Sequence, residues 1–157
     1  MSNFLIRQIP TPIIIFIGFL LCCSTKKFSR EEREFKRYLA ETFNRQPASE
    51  GENVNYYVIN MNACESCIDQ HFLAVHSAKF KQNTILIIVG KVLKKEWNQI
   101  LNDVKNRGVN VLIDDRGEGL LYDFGLVKPI ILKFESSKLV DLIRIEDNEV
   151  SSVLLAL

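Results

Sequence analysis

Apolar positions along the chain recur with helical spacing in some stretches and run on as strands in others. Phe35, Leu39 and Phe43, with Tyr38 beside them, line one face of a helix predicted over Ser29 to Phe43. Ser29 and Glu32, three residues apart, predict a capping box at its start. The charged stretch from Arg30 to Arg37 is its solvated side. Asn44 to Asn53, rich in Pro, Ser, Gly and Glu, reads as a loop. Val54 to Met61 predicts a buried strand centred on Tyr56, Tyr57, Val58 and Ile59. After Asn62-Ala63-Cys64-Glu65-Ser66-Cys67 comes a helical stretch with Ile68, Phe72 and Val75 on one side. Thr84 to Val89 is apolar enough for a central strand. Glu96 to Arg107 is an amphipathic helix carrying Trp97, Ile100, Leu101 and Val104, stopped by Gly108.

Val109 to Ile113 is a third strand, and Leu120 to Phe124 a short helix. Ile130 to Phe134 and Leu139 to Ile145, joined by the short turn Glu135 to Lys138, predict an antiparallel hairpin. Val150, Val153, Leu154 and Leu157 give a closing helix within Asp147 to Leu157. Strands alternating with helices demand right-handed crossovers and a parallel centre, to which the hairpin adds an antiparallel edge. The expected fold is an α/β sandwich, a mixed sheet with helices on both faces.

The N-terminus falls outside this pattern. Residues 1–22 carry one cation, Arg7, and an apolar run from Ile13 to Leu21, which reads as an export signal; the run is shorter than the roughly 20 residues a spanning helix needs. Leu20-Leu21-Cys22-Cys23 resembles the lipobox of bacterial lipoproteins, which implies a lipid anchor on Cys23, a tether over 23–28 and a folded domain over 29–157. Ser24 in place of Asp after the lipidated cysteine favours, by the same resemblance, the outer over the inner membrane, with the domain on the periplasmic side. The 20 Lys and Arg against 19 Asp and Glu leave no basic footprint, which argues against nucleic-acid binding.

Beyond the N-terminal region the chain holds two cysteines, Cys64 and Cys67, too few for a disulfide scaffold, so they form a local unit. A C-x-x-C between a strand and a helix, and Pro129 opening a later strand after Tyr122-Asp123-Phe124-Gly125-Leu126-Val127-Lys128, resemble the thioredoxin-fold thiol-disulfide oxidoreductases, in particular their exported, membrane-tethered members. The resemblance implies a thioredoxin-like sandwich and exchange through Cys64 as nucleophile and Cys67 as resolving thiol. It also implies a cis Lys128–Pro129 bond that presents the Lys128 backbone to a substrate. No cofactor beyond a redox-active Cys64–Cys67 disulfide is implied; partners are protein dithiols or disulfides and a membrane electron donor. The chain departs from the family pattern in Ala63 for tryptophan, Glu65-Ser66 for Gly-Pro and Val58 for the buried acid. Water or Glu65 would then take the proton from Cys67.

The chemistry suits that site. A thiol at a helix start faces unpaired backbone N–H groups and the positive end of the helix dipole, and both favour thiolate. Glu65 beside Cys64 opposes ionisation, which predicts a reductant, with Lys128 offsetting part of the effect. Three other readings stand beside this one. The pair forms a static disulfide, or the domain is a redox-inert binding module on the same scaffold. Alternatively Cys64, Cys67, His71 and His76 bind a metal, although His76 lies about 140° around the helix from His71. No metal is expected, and the two histidines are expected on the exposed side of the helix. Asp114 and Asp115 are expected as surface acids.

Overall fold

The computed structural model describes residues 27–80, 83–146 and 149–155. The expected export segment, Cys22 and Cys23 lie outside the described residues, as do the ends of the predicted closing segment at Asp147 and Leu157. Among the described residues no helix is long and apolar enough to cross a membrane. In chain order the elements are α1 (Ser29–Phe43), β1 (Asn53–Asn60), α2 (Glu65–Ser77), β2 (Thr84–Val89), α3 (Lys95–Asn106) and β3 (Asn110–Asp114). A 3-10 helix (Glu118–Leu121), β4 (Ile130–Glu135), β5 (Lys138–Arg144) and α4 (Val150–Leu155) complete the chain.

The strands form one sheet in the order β3-β2-β1-β4-β5. β1 and β2 are parallel, with Asn55 opposite Thr84 and Asn60 opposite Val89, and β2 and β3 are parallel from Ile85↔Asn110 to Val89↔Asp114. β4 runs antiparallel to β1, from Asn53↔Glu135 to Val58↔Ile130, and β5 returns antiparallel to β4. The hairpin turn places Ser136 and Ser137 at φ 46° and 66°, the pair of left-handed positions whose twist matches a two-residue hairpin.

Successive side chains of a strand point to opposite faces, so the central strand feeds two cores. Tyr57, Ile59, Leu86, Ile88 and Ile131 meet Phe72, Val75, Trp97, Leu101 and Leu154 under α2, α3 and α4. Tyr56, Val58, Ile87, Ile130 and Leu132 meet Phe35, Tyr38 and Leu39 of α1 on the other face. Phe35 is the hub there, its ring 5.1 Å from Tyr56, 5.2 Å from Phe124 and 5.6 Å from Phe134.

Three local expectations change. The N-cap of α1 is Phe28, with no side-chain cap, so the Ser29–Glu32 capping box does not form. Glu32 pairs instead with Lys36 at 2.7 Å and accepts the Leu139 backbone N–H at 3.3 Å, a cross-element use that outweighs a local cap. The short helix expected over Leu120 to Phe124 starts earlier and is of 3-10 type. The cause is Asp114, which is 3% exposed and no surface acid. Its carboxylate accepts the N–H groups of Glu118 at 3.0 Å and Gly119 at 2.7 Å and the hydroxyl of Tyr38 at 3.2 Å. Asp115 beside it is exposed as expected.

Strand β2 ends at a close approach. Gly90, at φ +108°, donates its N–H to Asp114 O at 2.7 Å, and a Cβ built on it would lie 3.0 Å from the Cβ of Met61.

Removing the Asp114 carboxylate leaves buried donors unsatisfied, which costs about 1–3 kcal/mol. Asp114→Ala is therefore expected to lower the free energy of unfolding by that amount, read as a lower urea midpoint with an unchanged m-value, and Tyr38→Phe, which removes one donor only, to lower it less.

Candidate functional site

The site is built from the end of β1. Asn60 is 8% exposed and its side chain bonds in two directions, accepting the Asn62 N–H at 2.9 Å and donating to Leu126 O at 3.2 Å. Ala63 N also donates to Asn60 O at 3.3 Å, closing a tight turn into Cys64. Cys64 is the N-cap of α2, with φ −63° and ψ 142°, and its sulfur accepts the Cys67 N–H at 3.2 Å. A sulfur thus fills the place of the usual oxygen cap. The Ser66 hydroxyl lies 3.5 Å from the same sulfur. Cys64 and Cys67 are joined by a disulfide with Cα atoms 5.3 Å apart, Cys64 exposed and Cys67 half-buried.

The second landmark is drawn to the same end of the sheet. The β1–β4 ladder finishes at Val58↔Ile130, so Pro129 directly precedes the residue paired nearest the cysteines, and Asn60 holds Leu126 three residues before it. Among the described residues no peptide bond is cis, so Lys128–Pro129 is trans and the expected cis bond is corrected. Trans is the lower-energy form of an X–Pro bond by about 0.5–1 kcal/mol. Pro129 is buried and its carbonyl accepts the Ile145 N–H at 2.9 Å, while Lys128 is exposed and ion-pairs with Glu146. Val58 packs on the α1 side of the sheet.

A parallel β-α-β crossover with the C-x-x-C at its first turn, followed by an antiparallel hairpin on the other side of β1, decides the architecture. The fold is thioredoxin-like. No family model and no curated protein matches the chain. Among solved structures, a secreted disulfide oxidoreductase of Mycobacterium tuberculosis homologous to E. coli DsbE aligns at 11% identity and a TM-score of 0.40, over 69% of this chain and 84% of its own. A peroxiredoxin-like protein of Aquifex aeolicus aligns at 10% identity and 0.42, over 69% and 73%. An exposed lipoprotein thioredoxin of Streptococcus pneumoniae aligns at 18% identity and 0.35, over 69% and 87%.

Within the thioredoxin-like frame the two histidines separate. His71 is fully buried, contrary to the expected exposure, with Nδ1 2.5 Å from the Tyr57 hydroxyl. It lies three residues after Ile68 and four before Val75, on the face that packs against the sheet. His76 is exposed, with Nε2 4.0 Å from Asp103. One ring faces the core and the other solvent, so the structure does not bring the four candidate metal ligands together.

The electrostatics of the first helical turn involve residues the sequence reading passed over. Glu65 pairs with Lys94 at 2.7 Å. The same ammonium lies 2.9 and 3.0 Å from the two Asp69 oxygens, and Trp97 Nε1 donates to Asp69 at 2.8 Å. Hydrogen bonds from Lys94 and Trp97 hold the Asp69 carboxyl below its ordinary range, and bonds to Glu65 and Asp69 raise Lys94. Glu65 is therefore no lone carboxylate. The 65/69 spacing on one helical face is visible in sequence, but pairing with a lysine 25 residues beyond Asp69 has no local signature. A groove of about 360 Å³ adjoins the site, lined by Met61, Asn62, Gly90, Leu93, Arg116 and Leu120.

The exposure difference yields a test. In the reduced protein, iodoacetamide is expected to modify Cys64 before Cys67, read by peptide mass mapping at short times; faster labelling of Cys67 would reverse the two roles.

Proposed function

We propose that the protein is a thiol-disulfide oxidoreductase that acts on protein substrates through Cys64 and Cys67, and that it works as a reductant. The observation that carries the reading is the placement of the exposed Cys64 sulfur as the cap of α2, where it accepts the Cys67 N–H. That position lowers the cost of thiolate and leaves the second sulfur within the same turn.

In the reducing direction the Cys64 thiolate attacks one sulfur of a target disulfide. The target's S–S bond breaks, its other sulfur leaves as a thiolate, and a mixed disulfide to Cys64 forms. Cys67, deprotonated to water or to the Glu65 carboxylate, then attacks Cys64. This releases the second target thiolate and closes the Cys64–Cys67 disulfide. Two electrons pass to the target, and a membrane electron donor returns them. Lys128 and Pro129 form the substrate-side wall, and the Leu93–Leu120 groove receives chain flanking the target cysteine.

The reducing direction is supported by charge. Glu65 and Asp69 against Lys94 leave one net negative charge beside Cys64, which favours the disulfide over the thiolate form. An exported reductant must be recharged at the membrane, and a lipid anchor on Cys23 with a short tether to α1 meets that need.

Titration in a glutathione buffer is expected to show reversible formation of Cys64–Cys67, and an insulin-reduction assay to lose its activity in Cys64→Ser. Cys67→Ser is expected to accumulate mixed disulfides on non-reducing gels. A disulfide that resists exchange throughout would make the pair structural and the domain a binding module. Fatty-acid labelling of the expressing cells is expected to mark the wild type and not Cys23→Ser; label retained in that variant would reject the anchor.

A further inference from the structure

Lys94 precedes α3, whereas the disulfide belongs to α2, yet the lysine is held against the first turn of α2 by three separate partners. Its Nζ contacts Glu65 at 2.7 Å and Asp69 at 2.9 Å, and stands 4.7 Å from the centroid of the Trp97 ring. The platform is itself fixed. Trp97 is 6% exposed and stacks on Phe72 of α2 at 5.3 Å with an interplanar angle of 19°, while its indole N–H donates to Asp69. A surface lysine gains little from one exposed carboxylate. Here the carboxylates, the indole face and the packed helix pair confine it together, which removes much of the side-chain freedom an isolated pair would lose.

The two acids sit at positions that matter for Cys64. Glu65 is the first residue of α2 and Asp69 lies one turn on, so unpaired carboxylates there would work against the thiolate that the helix start favours. Charged groups beside this cluster are Lys91, Asp115 and Arg116 along the neighbouring groove and Lys95 and Glu96 next in the chain to Lys94. Lys128, paired with Glu146, stands on the Pro129 side. Lys94 is the cation that directly contacts both acids of the turn.

We propose that Lys94 is a positioning residue for exchange at Cys64: it gathers Glu65 and Asp69 into one ion-paired cluster anchored on Trp97 and so offsets part of the charge that would otherwise oppose a negative Cys64 sulfur. The proposal rests on the exchange reading of the Cys64–Cys67 pair. It predicts that the reactivity of Cys64 is set in part by a residue in another helix's cap.

The test is the pH profile of iodoacetamide alkylation of Cys64 in the full-length reduced protein, for wild type, Lys94→Met, Lys94→Gln, Lys94→Arg, Glu65→Gln and the Lys94→Met/Glu65→Gln double variant. Lys94→Met is expected to move the midpoint to higher pH and to slow alkylation at neutral pH by roughly five- to tenfold, with rates converging well above the midpoint. Lys94→Arg should stay within about twofold of wild type, because it keeps the charge. In the Glu65→Gln background the loss of Lys94 should matter less. If Lys94→Met fails to fold, Lys94→Gln carries the same expectation. An unchanged midpoint, or a uniform slowing at every pH, would overturn the proposal, since the second outcome marks lost access and not lost ionisation. Glutathione titration of the same proteins separates the two ideas. A disulfide that cycles normally while the midpoint ignores Lys94 sinks this inference alone, whereas a disulfide that never cycles sinks the exchange reading whatever the alkylation shows.

Discussion

The parallel pairing of β1 with β2 is the constraint from which the site follows. Two neighbouring strands that run the same way cannot be joined by a tight turn, so the chain must leave the carboxyl end of β1, cross a face of the sheet and return. The crossing element is α2, and its N-terminus therefore stands at the carboxyl ends of the parallel strands. Every feature that prepares Cys64 for chemistry is a by-product of that geometry. The unpaired N–H groups, the positive dipole end and the exposure all belong to a crossover helix at its start. Asn60 fixes the last detail by bonding forward into the turn and sideways to Leu126.

How much of this was legible in the sequence depends on whether the cause was local. The bounds of α1, α3 and the five strands came within one residue, and β2 matched its predicted span, because apolar periodicity is a local signal of burial. The C-x-x-C at the β1–α2 junction was visible for the same reason. What escaped were side chains recruited across the fold. Asp114 looked like one of two surface acids until β3 delivered it beneath Tyr38 and the 3-10 turn. His71 looked exposed until the helix rotated it onto Tyr57. Ser29 and Glu32 had the spacing of a capping box, but Glu32 found the Leu139 N–H of a strand far along the chain. A polar side chain chooses among partners that only the finished fold assembles, and no window of sequence contains them.

The charge environment of the disulfide shows the same division. Composition reports near-neutrality, and position reports an acid beside the first cysteine. The structure places two acids and one base in a cluster locked onto an indole, so the local field at Cys64 is the remainder of partly cancelling terms. Such remainders are sensitive, because removing any one member exposes the others, and the partial exposure of Lys94 makes them open to screening by salt.

Gly90 carries a consequence of a different kind. The backbone at the end of β2 passes so close to Met61 that a methyl group placed on it would meet the Met61 Cβ at 3.0 Å, and its positive φ already disfavours a side chain. Met61 stands three residues before Cys64. The strand that contributes no atom to the disulfide therefore sets the space available to the turn that presents it. During divergence of such sequences, position 90 would be closed to substitution for a reason beyond its own φ: the freedom is spent on where a sulfur three residues past its neighbour comes to rest.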